Sequence, residues 1–364
     1  MLGCEFKGQI VSLGDDIDSI RENYFHSGSE EKINEGIKLL AEKYPLTEKL
    51  NLSFANILRL EENPDLPKIY GFSEKRSDIL FKPVLCDIRD FYIVDQLFKE
   101  FKPQVVFHAA AYKHVSLVEE NPFEAVSNNI LGTKVCVESA IETEVETFVL
   151  ISTDKAVRPT NIMGATKRFS ELILQSIASE NKTKMTMVRF GNVIGSSGSA
   201  VPLFQKQIKE GGPVTVTHPD IVRYFMSIPE AAELVIQAGA MGEGGDVFVL
   251  DMGEPVKILE IAKRLINLSG MEIIDSENPH GDIEIEFTGL RPGEKLYEEL
   301  LINPSQSQPT QHPRIFCSEE PLPDSESLQK EIQLLSDAIS KRDLNSALES
   351  MKRLVPEYEP DNGK

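Results

Sequence analysis

From about Lys82 the chain alternates short apolar runs with helix-length amphipathic segments. "KPVLCDIRD" is followed by "IVDQLFKEFKP", which has helical apolar spacing, and then by the run "QVVFHAAA". The helical stretch "PFEAVSNNILGTKVCVESAIET", the run "TFVLIST", a helix after Asn161 and the run "MTMVRFGNVIG" continue the pattern. The runs are rich in Val and Ile and apolar throughout, as strands buried on both faces are. This predicts an α/β fold built on a parallel sheet with helices on both faces. In such sheets ligands sit at the carboxyl ends of the strands. Three of these ends carry polar groups: Asp87, His108 to His114, and Ser152 to Lys155.

After Gly195 the pattern loosens into pieces rich in Gly, Pro and Thr, then resumes as short strands and amphipathic helices through "VFVLDMG", "KILEIAKRLINLSG" and "IEIEFTGLRPGEKLYEELL". This reads as a smaller lobe covering a substrate. Beyond the loop "NPSQSQPTQHP", the stretch "ESLQKEIQLLSDAISKRDLNSALESMKRLV" gives two amphipathic helices, with Leu328, Ile332, Leu335 and Ile339 on one face. A helical hairpin packed on the body is the expectation, with a dimer contact second. The resulting division is an atypical N-terminal part at 1–80, a Rossmann-like core at 81–195, a substrate-binding lobe at 196–315 and a helical tail at 316–364.

Composition narrows the partners. A formal net charge of −20 over 364 residues argues against nucleic acid or an anionic membrane, while a few local cations suffice for an anionic small molecule. The four cysteines lie far apart with no paired motif and no histidine set at ligand spacing, so a reduced cytoplasm and no metal site are expected. No apolar stretch is long enough to span a bilayer and no signal-peptide layout opens the chain, so a soluble cytoplasmic protein is expected.

The densest candidate chemistry lies in "FVLISTDKAVRPTNIMGATKR". Met163 and Lys167 are four apart and share a helix face. With Thr160 or Asn161 as cap, that face begins just beyond the strand carrying Thr153, Asp154 and Lys155. Strand end and first helical turn then converge on one cleft. A lysine beside an aspartate at a partly dry strand end can be tuned toward neutrality, and such a pair can divide proton removal from protonation of a leaving hydroxyl. That is the demand of β-elimination next to a carbonyl. Methionine can do neither, which leaves proton transfer from a sugar hydroxyl to Asp154, Lys155, Thr153 or water. A solvated Asp154–Lys155 pair and a surface Lys167 are the plainer readings of the residues taken singly.

Elsewhere, Ala109, Ala110 and Ala111 leave room for a flat ring at a strand end, and Lys113 can meet a phosphate or ribose; helix–sheet packing explains the small residues equally well. Asp87 either accepts from an adenine amino group or caps the next helix. Asn192 in "RFGNVIGSSGS" offers a neutral hydrogen-bonding side chain. In "LRPGEKLYEELL", Arg291 can neutralise a diphosphate and Glu294 can accept from ribose hydroxyls, or the two form an exposed ion pair. Arg189 and Arg223 are further cations that the sequence does not rank. "GQIVSLG" and "EEKINEGIKLLAEKYP" suggest a strand–turn–helix opening, yet the first eighty residues contain no GxGxxG or GxxGxxG. Gly14 is followed by Asp15 and Asp16, whose carboxylates repel a pyrophosphate at close range.

The motifs "FHAAAYKHV", "NNILGT", "ISTDKAVRPTNIMGATK", "RFGNVIGSSGS", "GGPVTVTHP", "RYFM" and "LRPGEKLYEELL", in this order, resemble the UDP-N-acetylglucosamine 4,6-dehydratases of the extended short-chain dehydrogenase/reductases, over residue 80 to the C-terminus. The resemblance implies a bound NAD or NADP that oxidises the sugar C4 hydroxyl, elimination of water across C5 and C6, and return of the hydride to C6. It implies Asp154 as acid at C6, Lys155 as base at C5, and Lys167 on the nicotinamide ribose, with Met163 a variant found within the family. Asp87, Ile88, Ala109, Lys113 and Asn128 would line the cofactor, and Thr153, Asn192, Val193, Arg291 and Glu294 the UDP-sugar. It also implies a homo-oligomer. Two departures stand out: the family's glycine-rich loop is absent, as are the membrane-spanning region and preceding nucleotide-fold domain of its large branch. A UDP-sugar epimerase using the same oxidised intermediate, and a cofactor-poor, catalytically silent binding homologue, are the alternatives.

Overall fold

The computed structural model describes residues 84–196, 199–300, 307–320, 322 and 324–360. The expected opening strand and helix, "SLGDD" and the rest of the first 83 residues lie outside the described residues. Two compact units divide at Ile93. In the first, residues 84–90 form no strand. The sequence reading put a strand end at Asp87; instead Asp90 N donates to Asp87 O in a turn, and Asp87 accepts from the backbone of Arg89 at 2.9 Å and pairs with its guanidinium at 2.7 Å. The helix cap is Asp90, which accepts from Ile93 N. Ile88 is buried.

The second unit carries a six-stranded sheet in the order β1-β2-β3-β8-β13-β12. Helix α1 (Phe91–Phe101) leads into β1 (Val105–His108); α2 (Val115–Glu120), α3 (Pro122–Val126), a π-helical turn at Ser127–Gly132 and α4 (Thr133–Glu142) then lead to β2 (Thr147–Ile151). Helix α5 (Ile162–Ala178) connects β2 to β3 (Lys184–Arg189), and β8 (Asp246–Leu250) extends the sheet in parallel. Strands β13 (Ile315–Ser318) and β12 (Ser307–Pro309) close it antiparallel.

The apolar runs become strands because both faces are covered. Val149, Val188, Phe248 and Leu250 pack against Ala231, Leu234, Val235 and Ala238 of α7 (Ile228–Met241). The alternating side chains Phe148, Leu150, Met185 and Met187, which point the other way, are fully buried too. Beside this sheet, β10 (Ile273–Ile274), β11 (Ile283–Phe287) and β5 (Val214–Val216) form a small parallel sheet. It shares one apolar core with α6 (Ala200–Lys209) and α8 (Ile258–Leu268). Two short pairs complete the lobe: β4 (Asn192–Val193) with β7 (Phe225–Met226), and β6 (Val222–Arg223) with β9 (Val256–Lys257). The tail forms α9 (Ser325–Ser340) and α10 (Leu344–Leu354), a hairpin that packs on α5. No helix among the described residues is long and apolar enough to cross a membrane.

Candidate functional site

Strand β2 ends at Ile151, and the backbone N–H groups of Ser152 and Asp154 still bond to the carbonyls of Val188 and Phe190, so the ladder carries the chain straight into the polar cluster. Thr153 then caps a 3-10 turn over Asp154–Ala156. Within it Lys155 Nζ donates to Asp154 Oδ1 at 2.9 Å, and Thr153 Oγ1 donates to the same oxygen at 2.9 Å. The Asp154 side chain is fully buried and that of Lys155 is 17% exposed. Asp154 Oδ2 is buried without a hydrogen-bond partner.

Helix α5 starts beside this turn for a steric reason. A Cβ on Gly164 would stand 2.1 Å from the carbonyl oxygen of Lys155, so only glycine lets the first helical turn lie on that backbone. Asn161 is the cap, accepting from Gly164 N at 2.8 Å, and Glu119 Oε1 accepts from Ile162 N at 2.6 Å. Two otherwise orphaned N–H groups are thereby satisfied. Met163 and Lys167 follow, both buried. The sequence motif did not reveal what Gly164 and Glu119 do. The glycine's position inside "IMGATK" was the available signal for the first; nothing local marked the second.

At the end of β1, His108 is buried and shares a 2.8 Å hydrogen bond with Thr133 Oγ1. Burial, with the charge of Lys167, pushes its imidazole down to about 3, so it stays neutral. The Ala109–Tyr112 loop is braced by amides from the π-helical turn. Asn128 Nδ2 donates to Ala110 O, while Asn129 accepts from Tyr112 N and donates to Tyr112 O and Thr166 Oγ1. Asn128 thus spends part of its amide on the loop itself. The brace holds Ala109, Ala110 and Ala111 half-exposed, a shallow surface without protruding side chains, and Lys113 is exposed beyond it.

From the lobe, Gly293 (φ +73°) seats the "RPGEK" loop on the start of α5. Its carbonyl accepts from Thr160 Oγ1 and Asn161 Nδ2. Arg291 is exposed, and its backbone N–H donates to Glu294 Oε2. Glu294 pairs with Arg223 at 3.3 Å, so the alternative of an exposed Arg291–Glu294 ion pair gives way to a pairing the sequence did not rank. Asn192 and Val193 are half-buried in β4. Gly191, just before them, borders the acid: a Cβ there would lie 3.2 Å from Asp154 Oδ2.

Sequence reading missed Glu298. Its side chain is 3% exposed, and its Oε1 lies 3.6 Å from Lys155 Nζ and 3.8 Å from Arg223 Nε. Burial works to lower the proton affinity of Lys155, but the carboxylates of Asp154 and Glu298 outweigh it and hold the amine above its ordinary value. The expectation of a lysine tuned toward neutrality is therefore reversed: Lys155 rests as an ammonium. Arg189, the other unranked cation, sits behind the strand end, bonded to Glu171 at 2.8 and 2.6 Å and to Glu320 at 2.7 Å. Glu171 also accepts from Ser152 at 2.6 Å. Among the described residues no group of His, Cys, Asp and Glu is arranged to hold a metal.

A mainly parallel sheet whose carboxyl ends present small residues, buried amides and the Lys155–Asp154 pair places the chain in the Rossmann-like α/β class. The chain belongs to the polysaccharide biosynthesis protein family, whose profile matches residues 56–320. It is 57% identical over 248 residues to the capsular polysaccharide biosynthesis protein CapD of Staphylococcus aureus, a match that takes in 68% of this chain and 39% of that one. The chain thus spans about two fifths of that relative's length. It is 35% identical over 245 residues to a UDP-glucose 4-epimerase of Rickettsia massiliae, covering 64% of this chain and 68% of the relative. Among solved structures it is similar to Pen from Bacillus thuringiensis, with a TM-score of 0.62 and 34% identity over 75% of this chain and 80% of Pen.

Proposed function

We propose that the chain is a nicotinamide-dependent sugar-nucleotide 4,6-dehydratase acting on UDP-N-acetylglucosamine or a similar UDP-N-acetylhexosamine in surface polysaccharide or glycan biosynthesis. The observation that carries this reading is the buried 2.9 Å contact between Lys155 Nζ and Asp154 Oδ1 at the carboxyl end of β2. Elimination across C5 and C6 needs a base and an acid side by side. One proton moving along this hydrogen bond supplies both: the Nζ–H bond breaks, an Oδ1–H bond forms, and the pair becomes a neutral amine and a carboxylic acid without changing its total charge. Lys155 then takes the C5 proton, and Asp154 protonates the departing C6 hydroxyl. Thr153, half-buried beside the pair, takes up the C4 hydroxyl proton in place of Met163 as its own hydroxyl proton passes to solvent water.

A bound nicotinamide supplies the hydride acceptor at C4 and donor at C6. The residues at the β1 and α5 ends suit such a group: the braced Ala109–Ala111 surface takes a flat ring, Lys113 a phosphate or ribose, and Lys167 the nicotinamide ribose, with Asn128 alongside. Asp87 and Ile88 are proposed as cofactor contacts from their sequence positions alone. Asn192, Val193, Arg291 and Glu294 are proposed to face the UDP-sugar. A cytoplasmic homo-oligomer is part of the proposal.

Incubation of the purified protein with UDP-N-acetylglucosamine is expected to yield a 4-keto-6-deoxy sugar nucleotide lighter by one water, and Asp154→Asn to abolish it. Absence of product, with and without added NAD or NADP, sinks the reading. A C4 or C5 epimerase is the second reading, favoured by the likeness to the Rickettsia relative; it is recognised by a product of unchanged mass. Protein that neither carries nor is thermally shifted by NAD(P) points instead to a silent binding homologue.

A further inference from the structure

Lys155 faces charged groups from three places in the fold. Asp154 comes from its own turn, Glu298 from the segment after Gly293, and Arg223 from β6. Glu294 then meets Arg223 from its far side at 3.3 Å. Lys155 and Arg223 are matched by the buried carboxylates of Asp154 and Glu298, with Glu294 a further, less buried one, and this pairing is what makes so buried a cluster tolerable. Glu298 is its least explained member. It makes no hydrogen bond to Lys155 or Arg223, only ion-pair approaches of 3.6 and 3.8 Å, and its Oε2 is buried without a hydrogen-bond partner. A carboxylate in that position is costly unless its charge is used.

We propose that Glu298, backed by Arg223, is a positioning residue that fixes the orientation and charge of the Lys155 amine. Lys155 stands between two carboxylates, and Glu298 keeps a negative charge beside the amine after its proton has moved to Asp154. Without Glu298, Lys155 loses one of its two neighbouring carboxylates, while the Arg223 guanidinium, still paired with Glu294 on its far side, remains to disfavour the ammonium. The segment that carries Glu298 is clasped to the catalytic turn, since Lys295 Nζ donates to Val157 O at 3.0 Å and Glu299 bonds to Arg158. It also carries Arg291 and Glu294. Occupation of these two by a nucleotide diphosphate would thus be felt at Lys155 through one short stretch of chain.

This inference rests on the acid–base reading of Lys155, so its test does not depend on turnover. The full chain and its Glu298→Gln variant are labelled by reductive methylation across a pH series, and the extent at Lys155 is read by peptide mass spectrometry. An opposite charge within about 4–6 Å typically holds such a group by one or more pH units. Glu298→Gln is therefore expected to label Lys155 roughly tenfold faster at a fixed pH below the midpoint, with the midpoint itself moved down. A change that merely loosened the site would raise the high-pH plateau and leave the midpoint in place, and that result overturns the proposal. Should Glu298→Gln fail to fold, Arg223→Met carries the same test with opposite sign: slower labelling supports the proposal, an unchanged rate overturns it. If wild-type protein makes no 4-keto-6-deoxy product yet the midpoint moves, the dehydratase reading fails and the coupling stands. If product forms and the midpoint does not move, the reverse holds.

Discussion

At Gly164, a single missing methyl decides whether the Asp154–Ala156 turn and the helix that backs it can coexist. A Cβ there meets the Lys155 carbonyl at 2.1 Å, and Pro159 at 3.2 Å stands on the other side. The obstacle is backbone, which cannot swing aside as a side chain would. Gly164→Ala is expected to destabilise the fold by about 2 kcal/mol or more by overpacking, and to cost more activity than a surface substitution such as Lys182→Ala, whose side chain is 91% exposed. Thermal unfolding and turnover of the two variants check this. The same residue shows where reading the sequence stopped. "STDK" and "MGATK" were legible as chemistry because strand end and helix start are adjacent in the chain. The glycine's reason lay in a contact between them, and Glu298 lay more than a hundred positions away, inside "KLYEELL", where it looks like any other acidic helix residue.

Among the elements, β1, β2, β3 and α5 were legible, because an apolar run between amphipathic segments has few other fates. The presumed strand ending at Asp87 is not a strand among the described residues, and its aspartate is occupied by Arg89. What the pattern concealed is that β3 and α5 are joined by charge as well as by packing. Arg189 at the end of β3 and Arg168 on α5 converge on Glu171, all three essentially buried, with Ser152 as a further donor. Inside an apolar run, a lone arginine or glutamate gives no hint of a partner on another element. Burial works against the Glu171 carboxylate, yet Arg189 and Arg168 outweigh it and hold it down to about 2. With the folded value below the ordinary 4.5, the stability it contributes is present above that pH and lost as pH falls toward 2. Glu171→Gln leaves two buried guanidinium groups short of a counter-charge and is expected to cost about 3–5 kcal/mol at pH 7. Urea unfolding at pH 7 and at pH 3.5 should show the gap between wild type and variant narrowing on acidification; a constant gap would mean the carboxylate's charge is not what stabilises.

Across the whole molecule, the helical tail supports the body of the sheet through α5. Leu328, Leu335, Met351 and Leu354 are buried in and beneath the α9–α10 hairpin. Glu331 is shared by Ser350 and Arg353 at its centre, and the hairpin packs on α5. Beyond it, Glu359 N donates to Pro159 O, in the turn between Lys155 and α5. Removal of residues 325–364 is expected to lower the unfolding temperature sharply by exposing the apolar side of α5. Glu357→Gln, which touches only the 3.4 Å pair with Arg168 at a position 23% exposed, should change stability by under about 1 kcal/mol. Equal effects from the two, in one thermal unfolding series, would show that the hairpin contributes nothing but that ion pair. Legibility at this scale was uneven. The amphipathic tail was plain from its periodicity, but its seat on α5 was not. That "VFVLDMG" extends the main sheet as β8, beside β3, was equally hidden, because pairing partners are set by topology rather than by local pattern.

The bond from Glu359 to Pro159 also has a meaning in time. Arg168 and Glu357 are 189 residues apart, and contacts of such long reach close only after the intervening chain has been made and ordered. The turn that carries Asp154 and Lys155 therefore receives its last brace from nearly the final described residues. A chain still emerging from the ribosome can have Asp154 and Lys155 in place and yet lack the brace that holds the following turn until Glu359 has been made.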